Sequence, residues 1–131
     1  MTVKLGLLSG STDGQGISIT AATSASAQSV HSALTATTTA SATIDRVYLW
    51  ATNRSDQRQG LRVHWGEATN DLKVSIPSQS GDIVVTTGKP IANAGDVGLW
   101  FSNSQTSTGS GTGNVIITGY ILRGERADII W

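Results

Sequence analysis

The residues of this chain able to do chemistry are few and scattered. His31, His64 and Glu67 are the candidates for metal ligation or acid–base work. His64 and Glu67 stand three residues apart, a spacing that brings side chains together on a helix but not on a strand. The surrounding Leu61-Arg-Val-His-Trp65 alternates as a strand does, and His31 is the only other histidine. A metal site there would need a third ligand from far away, so these side chains read as exposed strand residues. Asp13, Asp56 and Asp71 lie in turn-like sequence, where Asp is favoured for its local hydrogen bonds; none has the Asp-x-Asn-x-Asp-Gly spacing of a calcium loop. Ser9-Gly-Ser11 and Ser107-Thr-Gly-Ser-Gly-Thr-Gly113 have the composition of phosphate loops. A phosphate cradle usually opens a helix, whose first amides bind the anion; the second loop opens a strand, and no Lys-Ser/Thr pair follows. No Ser occupies a Gly-x-Ser-x-Gly elbow leading into a helix. With no Cys, thiol nucleophiles, thiolate metal sites and disulfides are excluded. The expectation is a non-enzyme, with no catalytic, metal or cofactor-binding residues.

Four Trp stand against a single Phe. Trp50, Trp65 and Trp100 fall inside predicted strands, where core packing or a subunit interface is the default use of so large a side chain. Exposed, they would instead offer stacking platforms for sugar rings. Trp131 follows Ile129 and Ile130, and an apolar end of that kind is costly in water, at ~25 cal/mol per Å². It either folds back on its own sheet or docks on a neighbour; we favour the neighbour.

The elements around these residues are strands. Ile44 to Asn53 alternates, with Val47, Leu49 and Ala51 on one face and Tyr48, Trp50 and Thr52 on the other. Leu61 to Trp65 places Leu61, Val63 and Trp65 toward the core and Arg62 and His64 outward. Leu72 to Ile76 is stopped by Pro77, and Asp82 to Thr86 is bounded by Gly81 and Gly88, leaving Lys89 to Gly95 as a bridge. Val3 to Leu8 reads as an edge strand and Ile17 to Thr20 as a short strand. Ala22 to Gln28 is a loop or the start of a strand running on to Leu34, and the Thr-rich 35–43 is extended. Asp96 to Ser102 and Asn114 to Arg123 close the chain. The last is apolar on both faces: Val115, Ile117 and Ile121 point one way, Ile116, Tyr120 and Leu122 the other. A strand with one face on a core should alternate apolar and polar residues, so other copies or a partner are expected to cover the second face. No sustained 3.6-residue period predicts a helix. Eight to ten short strands at intervals of about 8–12 residues predict an all-β, single-domain β-sandwich, and the lack of a Cys–Trp–Cys pattern favours a jelly roll over an immunoglobulin-like fold.

At 131 residues the chain is one domain, with residues 1–13 and 124–131 as candidate contact arms. Charged residues make up 14% and nine bases balance nine acids. That excludes the basic stripe a nucleic-acid partner requires and gives copies little mutual repulsion. No stretch approaches the ~20 apolar residues of a membrane span, nor does the N-terminus form a signal core. A soluble protein made in the cytosol is expected.

Ile44-Asp-Arg-Val-Tyr-Leu-Trp-Ala-Thr-Asn53, Leu61-Arg-Val-His-Trp-Gly66 and Asn114-Val-Ile-Ile-Thr-Gly-Tyr-Ile121, within about 44–125, resemble small β-sandwich structural proteins of tailed bacteriophages. The resemblance implies a capsid decoration (cement) protein, trimeric or similarly clustered on the virion surface, bracing the major capsid protein. Apolar ends and a doubly apolar last strand give the same picture, with contacts through Val3, Leu5, Leu7, Tyr120, Leu122, Ile129, Ile130 and Trp131. A glycan- or receptor-binding module and a phage tail or connector component are the alternatives.

Overall fold

Nested antiparallel pairing organises the chain, which a computed structural model describes at residues 3–21, 24–34, 43–66, 71–104 and 115–125. The strands are β1 (Val3–Gly6), β2 (Ile17–Ser18), β3 (Gln28–Ser32), β4 (Thr43–Asn53), β5 (Gln59–Trp65), β6 (Leu72–Ile76), β7 (Ser80–Ala92), β8 (Asp96–Ser104) and β9 (Val115–Glu125). Innermost, β5 pairs with β6; around that pair β4 meets β7, β3 meets β8, and β2 meets β9. Rolling this long hairpin and adding the β4·β9 and β5·β8 pairings gives two sheets. Sheet A runs β1-β9-β4-β7, with β2 also on β9, and sheet B runs β3-β8-β5-β6. This is the predicted jelly roll. Among the described residues the helical content is a single 3-10 turn, Ser24–Ser26.

Period-two alternation decides what lies between the sheets. Val47, Leu49 and Ala51 of β4 and Val115, Ile117 and Ile121 of β9 are buried, as are Leu61 and Val63 of β5 and Val97, Leu99 and Phe101 of β8. Each Val, Leu, Ile or Phe among them adds roughly 1.5–3 kcal/mol by leaving water. Trp65 packs against this core from its margin, its indole N–H donating to the Pro90 carbonyl at 2.8 Å. The β1 edge, β6 and the inward and outward faces of β4 and β9 match the sequence reading.

The largest boundary difference is in β7. Asp82 to Thr86, expected to end before a bridge at Lys89, is the middle of the thirteen-residue β7. Gly88 and Pro90 look like breakers, but β7 has only β4 as a neighbour, so a proline there loses no ladder bond on its free side. Gly88, at φ 72°, forms one of the bulges where the β4·β7 register shifts.

The turns at one end are tied by Asn53, 1% exposed. Its Oδ1 accepts from the Ser55 N–H and Oγ–H, both at 2.9 Å, while Nδ2 donates to the carbonyls of Gln57 at 2.9 Å and Pro77 at 3.0 Å. One amide thus joins the β4–β5 turn to the β6–β7 turn. Asn53→Ala leaves several buried groups unpaired and is expected to cost about 2–3 kcal/mol, seen as a lower urea midpoint at unchanged slope. A loss under about 0.5 kcal/mol would show the turns hold without it.

Candidate interaction face

The outer face of sheet A assembles itself from register. Cross-strand rows run Val3–Gly124–Ile44–Ala92, Leu5–Leu122–Arg46–Pro90, Tyr120–Tyr48–Thr87 and Thr118–Trp50–Val84. A further row, Ser18–Ile116–Thr52, includes β2. Most positions are apolar or aromatic, the polar ones being Arg46, Thr87, Thr118, Ser18 and Thr52, and the exposure is high where the sheet ends: Leu5 72%, Leu7 57%, Val84 53% and Val3 43%. Among the described residues no second layer of the fold covers this face.

Its centre is aromatic. Tyr48 and Tyr120, directly opposed on β4 and β9, stack at 4.8 Å with ring planes 14° apart. Trp50 lies 5.8 Å from Tyr120 and 6.4 Å from Tyr48, so the three rings form one cluster. Each is half-buried. A Cβ at Gly88 would lie 2.9 Å from the Tyr48 hydroxyl oxygen, so the glycine leaves room for that ring. Arg46 is the cation on these rows, and its guanidinium donates to the Gly88 carbonyl at 3.3 Å.

Of the contact residues read from sequence, Val3, Leu5, Leu7, Tyr120 and Leu122 come together here. Ile129, Ile130 and Trp131 lie outside the described residues. Sequence reasoning missed Tyr48, Trp50 and Val84 as members of the same surface. The signal was present: β4 alternates small aliphatics with aromatics, and the aromatic side is the outer one.

The histidines do not converge. His31 faces the sandwich interior from β3, whereas His64 is on the outer side of sheet B, opposite Gly98. His31 was expected as an exposed strand residue and is instead 1% exposed. The Ser9 N–H donates to its Nδ1 at 3.1 Å, which places the ring proton on Nε2, 2.6 Å from Asp45 Oδ2. Both ring nitrogens are therefore engaged, leaving no basic lone pair for a substrate. Asp45, fully buried, also accepts from Arg123 Nε at 2.7 Å and Nη2 at 2.9 Å. Burial pushes the Asp45 carboxyl up, but the hydrogen bonds of Arg123 and His31 outweigh it and hold the carboxyl below its ordinary value. Pairing with Asp45 raises the Arg123 guanidinium despite the opposing effect of burial. This network joins both sheets and the β1–β2 loop.

His64 is also buried, covered by its neighbours where exposure was expected. The Trp100 indole N–H donates to its Nε2 at 2.9 Å, and Asp71 Oδ1 sits 3.2 Å from the same nitrogen. Trp100 occupies that lone pair, so the buried Asp71 oxygen receives no hydrogen bond among the described residues. Asp71, read as a turn residue, thus packs against β5; Glu67 lies outside the described residues. Among the described residues no group of three His, Cys, Asp or Glu could hold a metal ion. An open groove of ≈ 380 Å³ lies along β7 beside Leu72, lined by Val84, Val85, Thr86, Thr87 and Lys89. No helix among the described residues is long and apolar enough to cross a membrane.

Fold and face together define a two-sheet jelly-roll sandwich with one apolar outer surface. Comparison with protein families, curated proteins and solved structures yields no match.

Proposed function

We propose that this chain is a non-enzymatic structural protein of a virion, a capsid decoration protein that reinforces the phage head by binding where capsomers meet. The observation that carries this reading is the outer face of sheet A, on which most positions are apolar or aromatic and which gives the chain a surface for assembly. Contiguous apolar patches beyond a few hundred Å² mark interaction surfaces, and a cementing role needs large complementary surfaces repeated by symmetry. Near-zero net charge favours dense clustering of copies on a shell.

The test is co-sedimentation with shells assembled from the major capsid protein. Saturable binding at a fixed copy ratio, with a raised rupture temperature of the shell, is the expected result. Protein left in the supernatant at every concentration refutes the role.

The Tyr48–Tyr120–Trp50 cluster favours a second reading, a glycan-binding head, because half-exposed rings can stack on sugar faces. That reading expects tryptophan emission to shift on adding oligosaccharides and to lose the shift in Trp50→Ala. Insensitive emission removes it.

A further inference from the structure

We infer that the outer face of sheet A is covered by a second copy of this chain, packed face to face about a two-fold axis. The inference rests on the assembly reading above: this face joins two copies, and the pair meets the shell through its remaining surface.

Area is the first argument. β4 and β9 are each eleven residues long. At about 3.3 Å per residue and 4.8 Å between strands, the four-strand face measures roughly 36 by 19 Å, or about 700 Å² per copy. Two copies then bury about 1,400 Å², within the range of roughly 1,200–2,000 Å² for stable specific pairs.

Symmetry is the second. A single patch can be fully buried by its own kind only in an isologous pair; a ring of three needs two different complementary patches. Two equally twisted sheets also fit each other face to face, at about 30° between strand directions, as the layers of a sandwich do. Edge-to-edge growth through β7 is blocked by Pro90, by Lys89 and by the register shifts along its pairing with β4.

Composition is the third. Trp50, Tyr48, Tyr120 and Arg46 occupy the middle of the face, and Trp, Tyr and Arg are the residue types that dominate binding energy at interface centres. Tyr48 stacks on both Tyr120 and Trp50, with Trp50 tilted against Tyr120, and rings so clustered suit burial under a flat partner better than sugar stacking. No acidic side chain occupies the cross-strand rows of this face.

Light scattering over a concentration series tests this with the parent chain and two variants, Leu5→Glu and Val84→Glu. Both positions are exposed in the single chain, so the fold tolerates the change. The parent is expected at the mass of two 13.6 kDa chains. Each variant is expected to weaken pairing about a hundredfold, while keeping the circular dichroism of the parent. A parent that stays monomeric, or that forms a closed trimer, overturns the two-fold pair, and so does a dimer that both variants preserve. Shell co-sedimentation is read separately: bound monomers or trimers would end this inference and leave the decoration role standing. Stable dimers that ignore shells would do the reverse.

Discussion

Replacing Asp45 by Asn is expected to lower stability by about 3–5 kcal/mol, or roughly 10–18 °C in Tm. The carboxylate is fully buried and takes two hydrogen bonds from Arg123 and one from His31. An amide keeps one acceptor and turns a second set of donors toward donors, leaving the guanidinium unpaired. The same network sets an acid limit. The folded-state carboxyl lies below its ordinary value near 3.8, so its contribution is complete above that value and is lost as pH falls through the lower folded value. Tm of the parent should therefore be insensitive to this group from pH 7 to about 5 and fall steeply below about 4; Asp45→Asn should lack that part of the fall. Arg123→Met should cost most at neutral pH and recover partly in acid, where a protonated Asp45 no longer needs the cation. The double variant should cost less than the two single losses combined. A melting curve of Asp45→Asn within about 1 kcal/mol of the parent would show that the sandwich does not depend on this cluster.

Little in the sequence around His31 points to that cluster, because its members are far apart along the chain. His31 is of a residue type suited to ligation, yet Asp45 lies 14 residues further along the chain and Arg123 another 78 beyond Asp45. Only the pairing of β4 with β9, and the rolling of β3 over both, brings them together. A weaker signal was legible: Asp45 shares the inward register of Val47 and Leu49, and Arg123 that of Ile117 and Ile121. Opposite charges in the buried register of two long strands imply a buried pair once the strands are known to be neighbours. The sandwich itself was readable because alternation is local. Leu72–Ile76 and the two faces of Ile44 to Asn53 follow from period two alone. What alternation cannot reveal is whether a glycine or proline ends a strand or lies on its edge, and β7 was shortened for that reason. The apolar outer face of sheet A is half legible in the sequence. Its β1 members follow from the apolar N-terminal end and its β9 members from apolarity on both faces of the last strand, while joining Tyr48, Trp50 and Val84 to them requires the order of strands in the sheet.

Gly119→Ala is expected to cost about 3 kcal/mol or more, and to damage the outer face of sheet A along with the fold. A Cβ at this position would overlap the Tyr48 carbonyl oxygen and stand 3.0 Å from its carbon and 3.2 Å from the Leu49 Cα. All three are backbone atoms of β4, so no side chain can rotate away. The methyl must push β9 off β4 in the middle of sheet A, where Leu49 opposes Gly119 and the next pair is Tyr48 with Tyr120. Lost ladder bonds and a loosened ring stack follow from one displacement. Gly88→Ala is the control, because it also meets Tyr48, but at the hydroxyl tip of the ring. With φ at 72° it should carry a cost of only about 1 kcal/mol, from the left-handed backbone. The contrast separates crowding of a ring from separation of two strands. Thermal melts and the soluble fraction at low temperature measure it: Gly119→Ala should melt more than about 10 °C below the parent or fail to stay soluble, and Gly88→Ala should melt only a few degrees below. Equal, small losses would mean that β9 can shift on β4 without breaking the sheet, and the Gly-Tyr pair would then be no constraint on the face it helps to build.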